Sequence, residues 1–411
     1  MTKKNKLSFD FKNIPRNILV FGWISFLTDF SSDMVYPLLP IFLTQYLHAG
    51  QGFVGLVEGI AESTAAFFTL FSGLWADRIK DRSKLVSAGY SLSSLSRPLI
   101  AFAWSPWVVL LVRFFDRVGK GIRTSPRDAL IADSISHEHR GKAYGLHRSF
   151  DHLGAVAGPL TAAILLSGAV SNFRVLFFIA AIPGLAAVAL TLWKVREVLP
   201  ADRNVSSIKH AVHLPKGKLG IYLSILFLFL LSCSSDAFLI LRASQLGVAP
   251  MMLPILWMMF NLLKALSTYP FGIISDAVGR RKMILAGWVV YIFIYAGFGF
   301  ASQTWHAWVL FAGYSFFYGL TEGSERAILA DYAGPSEKGQ AFGWYYFLVG
   351  MGSLPASLIF GWLWQSYGSS RAFFVSSAVS SAAAVLLFIF LLLSPSKKKL
   401  AQPIPSEIEG N

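Results

Sequence analysis

The chain is built from apolar runs long enough to cross a bilayer, and little sequence is left between them. A spanning helix needs about 20 mostly apolar residues. Such runs occur twelve times, at about 17–46, 53–75, 84–104, 107–133, 141–168, 172–194, 219–246, 251–275, 283–302, 306–331, 340–366 and 371–393. They consume most of the 411 residues and leave no room for a soluble domain. Composition agrees: 14% of residues are charged, against roughly 25% in an average soluble domain. An all-α integral membrane protein is the expectation. The one cysteine, Cys233, excludes an internal disulfide framework and reads as a buried thiol.

Orientation follows from the short loops. With the N-terminus in the cytoplasm, one set of connections holds Arg78, Lys80, Arg82, Lys84, Arg140, Lys142, Lys194, Arg196, Arg280, Arg281, Lys282 and Lys338. The opposite set holds little beyond Arg174 and Arg371. This asymmetry places both termini in the cytoplasm of a cell (inner) membrane protein. It also accounts for the net charge of +14 without any nucleic acid. The basic N-terminal stretch lacks a small-residue cleavage site, so it reads as a retained tail.

The expected organisation is a tail at 1–16, a six-helix bundle at 17–194, a cytoplasmic loop at 195–218, a second bundle at 219–393 and a tail at 394–411. Internal repetition supports two halves. "GLWADRIKDRSK" from Gly73 answers "GIISDAVGRRKM" from Gly272, and "ALIAD" from Ala129 answers "AILAD" from Ala327. Ser31-Ser32-Asp33 answers Ser234-Ser235-Asp236. Repeats of this kind are how many transporters are built.

Ionisable residues inside the spans are costly, so they mark function or pairing. In the fourth span Arg113, Asp116, Arg117, Lys120, Arg123 and Arg127 follow helical spacing and form one stripe, which must line a wet cavity or meet acids on other helices. Asp29 and Asp33 share a face of the first span, and Glu58 and Glu62 share a face of the second. Arg97, Asp236, Asn261, Lys264, Glu322 and Glu325 add polar groups to other spans. Burial and a like-charged neighbour raise a carboxyl pKa, and a nearby arginine lowers it. A carboxyl poised between these pulls can take a proton on one side and release it on the other. Asp33, Arg113, Glu58 and Asp29 are the coupling candidates, and Glu62, Arg97, Asp116, Arg117, Lys120, Asp236, Asn261, Lys264, Glu322 and Glu325 are the cavity candidates, while Arg127 and Arg123 read as lying at the cytoplasmic surface. The same spacings also fit static ion pairs. Arg242, near an outer end, reads as a snorkelling side chain. "HEHR" at 137–140 is a loop and not a metal site, and no cofactor or catalytic set is evident.

The segment between the second and third spans, with Gly73, Asp77 and Arg78, resembles the hallmark of the major facilitator superfamily. Its counterpart has Gly272, Asp276, Gly279, Arg280 and Arg281. The resemblance extends over essentially the whole chain. It implies two six-helix bundles around a central cavity, lined by helices 1, 4, 7 and 10. It also implies that these segments latch the cytoplasmic side, and that Arg113 is the functional arginine of helix 4. Gly154, Gly158 and Pro159 resemble the helix 5 signature of the family's antiporters, although Ala162 and Ala163 replace its last glycines. The implied function is proton-driven export of a small polar or charged organic molecule, such as a drug, metabolite or siderophore, by a non-enzymatic carrier working as a monomer. Proton-coupled uptake of a polar solute or siderophore is the alternative, and a non-transporting receptor or scaffold a minor one.

Overall fold

The computed structural model describes residues 15–79, 81–136, 139–168, 170, 172–197, 214–333 and 338–394. The tails, Lys80, "HE" of the "HEHR" loop and most of the central loop lie outside the described residues. Twelve helical rods follow one another. The first half comprises α1 (Arg16–Val35, continued to Tyr46), α2 (Gln51–Arg78), α3 (Arg82–Ser96), α4 (Pro106–Asp133), α5 (Arg140–Gly168) and α6 (Phe173–Ile179 and Ala181–Lys194). The second half comprises α7 (Gly217–Ser232 and Asp236–Gln245), α8 (Leu253–Val278), α9 (Arg280–Phe300), α10 (Thr304–Tyr332), α11 (Lys338–Tyr367) and α12 (Ser369–Leu393).

Among the described residues, nine stretches are long and apolar enough to cross a membrane on their own. The helices α3, α4 and α10 are not among them. The charged stripe dilutes α4. Pro98 tightens the end of α3 into a 3-10 turn over Arg97–Phe102. Acids and Arg326 interrupt the second half of α10. Elsewhere large apolar side chains face outward: Phe293 is 71% and Phe178 57% exposed, which in a bilayer is lipid contact.

Prolines and serines shape the first helix of each half differently. Pro37 and Pro40 remove backbone donors, and α1 passes through a 3-10 turn at Tyr36–Leu38 before ending in a π-helical turn at Phe42–Tyr46. Ser31-Ser32-Asp33 sits inside the continuous helix. Its counterpart does not. Helix α7 stops at Ser232, and Ser235 then caps a new helix by accepting from the Ala237 amide at 3.3 Å. A continuous seventh span is therefore corrected to two segments hinged at Cys233–Ser235.

Small residues set the packing. A Cβ on Gly119 would meet the Gly89 carbonyl at 2.6 Å, and one on Gly121 would meet Phe68 Cβ at 2.5 Å. Helix α4 is thus pressed against α3 and α2 along its glycine faces, which turns its charged stripe towards the interior. The halves meet along α2 and α11. Gly55 faces the Ser357 carbonyl, Gly59 faces Leu354, and Gly361 faces the Gln51 carbonyl, all closer than a Cβ would permit. This contact runs from the far end, opposite the chain termini, to Ala66 and Gly350. Beyond that the helices diverge: Gly343 has nothing within 4 Å of a Cβ position. The molecule is closed at the far end and open at the end bearing the termini.

Candidate substrate cavity

The space between the halves is a cavity of 1410 Å³. Its walls come from α1, α4, α7 and α10 as expected, and also from α2, α5, α8 and α11, with Arg97 from α3. Near the open end the cavity is lined by the pairs Arg127–Asp128 and Arg148–Asp151 and by Arg326, which meets Glu322; its other charged side chains fall into two groups.

The first group is a paired scaffold. Arg113 Nη2 donates to Glu58 Oε1 at 2.8 Å, both buried. Arg97 Nε donates to Asp116 Oδ1 at 2.9 Å, and its other nitrogens reach the Thr28 carbonyl and Ser93 Oγ, each at 2.9 Å. Arg113 lies 3.7 Å from Asp116 and Arg117 lies 3.3 Å from Glu62. The upper stripe of α4 therefore knits α2, α3 and α4 together. Glu58 also accepts from Ser235 at the hinge of α7, at 3.4 Å, which ties the scaffold to the other half. A charge pair taken from water is best tolerated when its remaining hydrogen-bonding positions are met; Arg97 meets that condition, whereas the Nε atoms of Arg113 and Arg117 have no acceptor among the described residues.

The second group has no ion-pair partner among the described residues. It comprises the acids Asp29, Asp33 and Asp236 and the cations Lys120, Arg123 and Lys264. Asp33 Oδ1 accepts from the Trp257 indole at 2.8 Å, and Trp257 packs on Tyr36 with ring centroids 5.0 Å apart. This contact joins α1 to α8 across the closed end. Asp236 accepts from the Tyr314 hydroxyl at 2.8 Å. Lys264 Nζ sits 3.9 Å from the centre of the Tyr318 ring, a cation–π contact. Asp29 lines the cavity near Asp151, Asp33, Lys120 and Arg123.

Three expected cavity residues lie elsewhere. Asn261 turns its amide back to the Trp257 carbonyl at 3.1 Å, within its own helix. Glu322 pairs with Arg326 at 3.1 Å and approaches Arg148 of α5 at 3.7 Å. Glu325 accepts from the Tyr345 hydroxyl at 3.0 Å, between α10 and α11. Arg242 does not snorkel. It is buried and donates to the carbonyls of Phe298 at 3.2 Å and Ala301 at 2.7 Å, which closes the end of α9. Cys233 is half-buried: it lines the cavity beside the α7 hinge and packs against the core.

At the open end, the side chains of Asp77, Arg78 and Asp276 lie outside the described residues. Gly279 has a φ of 103°, a left-handed conformation that calls for glycine. Two ion pairs stand in corresponding places. Arg82 reaches Asp133 at 2.6 Å, and Arg280 reaches Asp331 at 2.7 Å, with both members 198 positions apart in the chain. Each pair ties the start of one helix to the end of the next. The sequence repeat contains Asp133 and Asp331 as the last residues of "ALIAD" and "AILAD", so this signal was present though unused. Arg281 donates to the Ser394 carbonyl. Outside the spans, the hydrogen bond from Ser83 holds Asp81 below the usual carboxylate range, with the nearby Lys84 adding to the effect. Gly154 and Gly158 face the Phe26 and Phe30 carbonyls of α1 at 2.5 and 2.4 Å from a Cβ position, so this motif is a close seam between α5 and α1.

Partners such as Trp257, Tyr314, Ser93 and Ser235 were missed by sequence reasoning. Uncharged residues of common types carry no periodic signal of their own.

A multi-pass helical protein with paired halves around a charged central cavity has the architecture of a membrane transporter. The chain belongs to the Major Facilitator Superfamily, whose family model matches residues 21–240 and 221–408. It is 32% identical over 361 residues to an uncharacterised MFS-type transporter of Methanocaldococcus jannaschii, covering 86% of this chain and 90% of the relative. It is 24% identical over 389 residues to the multidrug resistance protein MdtG of Citrobacter koseri, covering 89% and 93% of the two chains. Among solved structures, a point mutant of the nucleoside transporter NupG superposes with a TM-score of 0.78 at 13% identity, covering 91% of this chain and 100% of that one. At that identity the likeness concerns the fold. The protein is a carrier of a small-molecule substrate and not an enzyme.

Proposed function

We propose that this carrier exports a small polar or charged organic molecule in exchange for protons. The observation that carries the reading is the Asp33–Trp257 bond at 2.8 Å. Asp33 is a cavity carboxylate with no ion-pair partner among the described residues, and its hydrogen bond to Trp257 spans the two halves at the closed end. Gaining a proton weakens a charge-assisted bond. A protonation change at Asp33 therefore alters an interaction between the bodies that must move apart. The Arg113–Glu58 pair, tied to Ser235, is the neighbouring element that senses the same movement. The two halves, 17–194 and 219–393, rock as units about the cavity, with the 195–218 segment as their link. The basic bias of the loops supports a cytoplasmic location for both termini. In that orientation the open end faces the cytoplasm, where an exporter loads. Likeness to a multidrug resistance protein and the tight α5–α1 seam at Gly154, Gly158 and Pro159 support export over uptake.

The test is transport in liposomes of defined orientation with an imposed pH gradient. Wild-type flux should follow the gradient, with substrate moving opposite to protons. Asp33→Asn should lower gradient-driven flux at least about tenfold and leave substrate exchange without a gradient largely intact. Flux that ignores the gradient, or normal gradient-driven flux in Asp33→Asn, refutes proton coupling at this residue. Substrate moving together with protons identifies an uptake symporter.

A further inference from the structure

The stripe on α4 divides into two parts with different surroundings. Arg113, Asp116 and Arg117 belong to the paired scaffold. One turn nearer the open end, Lys120 and Arg123 have no carboxylate partner among the described residues. Lys120 is exposed and lines the cavity. Arg123 is only 5% exposed, yet its Nε and Nη1 have no hydrogen-bond acceptor among the described residues. Its guanidinium rests 4.3 Å from the centre of the Tyr90 ring, which fixes its position without satisfying its N–H groups. A buried cationic donor pair left unsatisfied is costly unless something else accepts from it.

The acids in the neighbourhood do not fill this role. Glu62 is engaged by Arg117, and Asp116 by Arg97 and Arg113. Asp151, which also approaches Asp29, is engaged by Ser25, by His147 at 3.6 Å and by Arg148 at 3.7 Å, and Arg127 nearby is taken by Asp128 at 2.8 Å, so Asp29 alone remains against Lys120 and Arg123 together. The local surplus is one positive charge beside donors that no described residue uses.

We propose that Lys120 and Arg123 form an oxyanion subsite in the open half of the cavity, and that the transported molecule carries a carboxylate or phosphate group seated there. A guanidinium with free N–H groups can donate to an oxygen of either group, and an ammonium adds a point charge from a second direction. Elsewhere on the cavity wall, Tyr36, Trp257 and Tyr318 offer aromatic surface for the remainder of the molecule. The substrate is then an organic anion with an apolar or aromatic body. The inference rests on the carrier reading but not on proton coupling.

The test is calorimetric titration of the full-length, detergent-purified protein with benzoate, phenyl phosphate and benzylamine, with no membrane and no gradient. One or both anions should bind, and benzylamine should bind at least tenfold more weakly. The preferred anion distinguishes a carboxylate from a phosphate. Lys120→Gln and Arg123→Gln should each weaken anion binding tenfold or more, and Lys120→Arg should restore it to within about threefold of wild type. Should Arg123→Gln fail to fold, Lys120→Gln decides alone, because its side chain projects into the cavity. Failure of both anions to bind, benzylamine binding as tightly as the better anion, or unchanged anion affinity in Lys120→Gln overturns the subsite. Loss of proton-driven flux with anion binding intact would instead count against the transport mechanism only.

Discussion

Two carboxylates in the same cavity wall illustrate how partners, not residue type, set a role. Glu58 neutralises Arg113 at 2.8 Å in a buried pair, whereas Asp33 meets an indole N–H. Removing one member of a buried pair leaves an uncompensated charge, at a cost of about 3–5 kcal/mol. Asp116, 3.7 Å from Arg113, offsets part of that cost. Glu58→Gln should therefore destabilise the folded carrier by about 3 kcal/mol, and Asp33→Asn by less than about 1 kcal/mol, because an amide oxygen still accepts from Trp257. Thermal denaturation in detergent, read by tryptophan fluorescence, compares the two. A loss in Glu58→Gln as small as that predicted for Asp33→Asn would mean that Arg113 does not depend on Glu58. The acids and bases themselves were visible as ionisable residues in apolar runs. Their pairing was not. Asp33 and Trp257 are 224 positions apart, and nothing in either local sequence points to the other.

Among the elements, helix positions were legible because each needs a near-continuous apolar run, and the α4 stripe was legible because six charges keep one helical phase. What escaped was set by tertiary contact. The same Ser-Ser-Asp lies within a continuous helix in α1 and at a helix start in α7, where Ser235 is a cap. Local propensity favours the cap, and packing in α1 overrides it. The seam between α2 and α11 depends on glycines whose necessity appears only when the partner is in place. A Cβ on Gly55 would lie 2.3 Å from the Ser357 carbonyl, whereas one on Gly145 meets nothing within 4 Å. Gly55→Ala should force the closed end apart and raise the labelling rate of a cysteine at Ser357 at least severalfold. Gly145→Ala should leave that rate unchanged and stabilise α5 by about 0.5–1 kcal/mol, through reduced backbone freedom. Slow labelling in Gly55→Ala would show that the seam yields elsewhere.

At the scale of the whole molecule, the proposed mechanism requires the closed end to open during each cycle, and the α2–α11 contact is one of those that must then part. Ser63 and Ser353 face each other across it with hydroxyl oxygens 3.3 Å apart, and Ser63 also donates to the Gly350 carbonyl at 2.6 Å. Disulfides join side chains whose Cβ atoms lie about 3.5–4.5 Å apart, so cysteines at these two positions need little backbone movement to bond. The only native cysteine, Cys233, lies at the α7 hinge, so it is replaced by serine in every variant and in the control. Oxidising the Ser63→Cys/Ser353→Cys protein should then hold the closed end shut. Flux in liposomes should drop to less than about a tenth of the control, exchange without a gradient should stop as well, and a reductant should restore both. Either single cysteine should transport like the control under oxidation, which separates cross-linking from a packing defect. The loss of exchange distinguishes this lock from Asp33→Asn, where the halves still move but the proton no longer drives them. An oxidised, cross-linked carrier that transports at the control rate would mean that the halves need not separate along α2 and α11, and that substrate passes by some smaller movement within the open cavity.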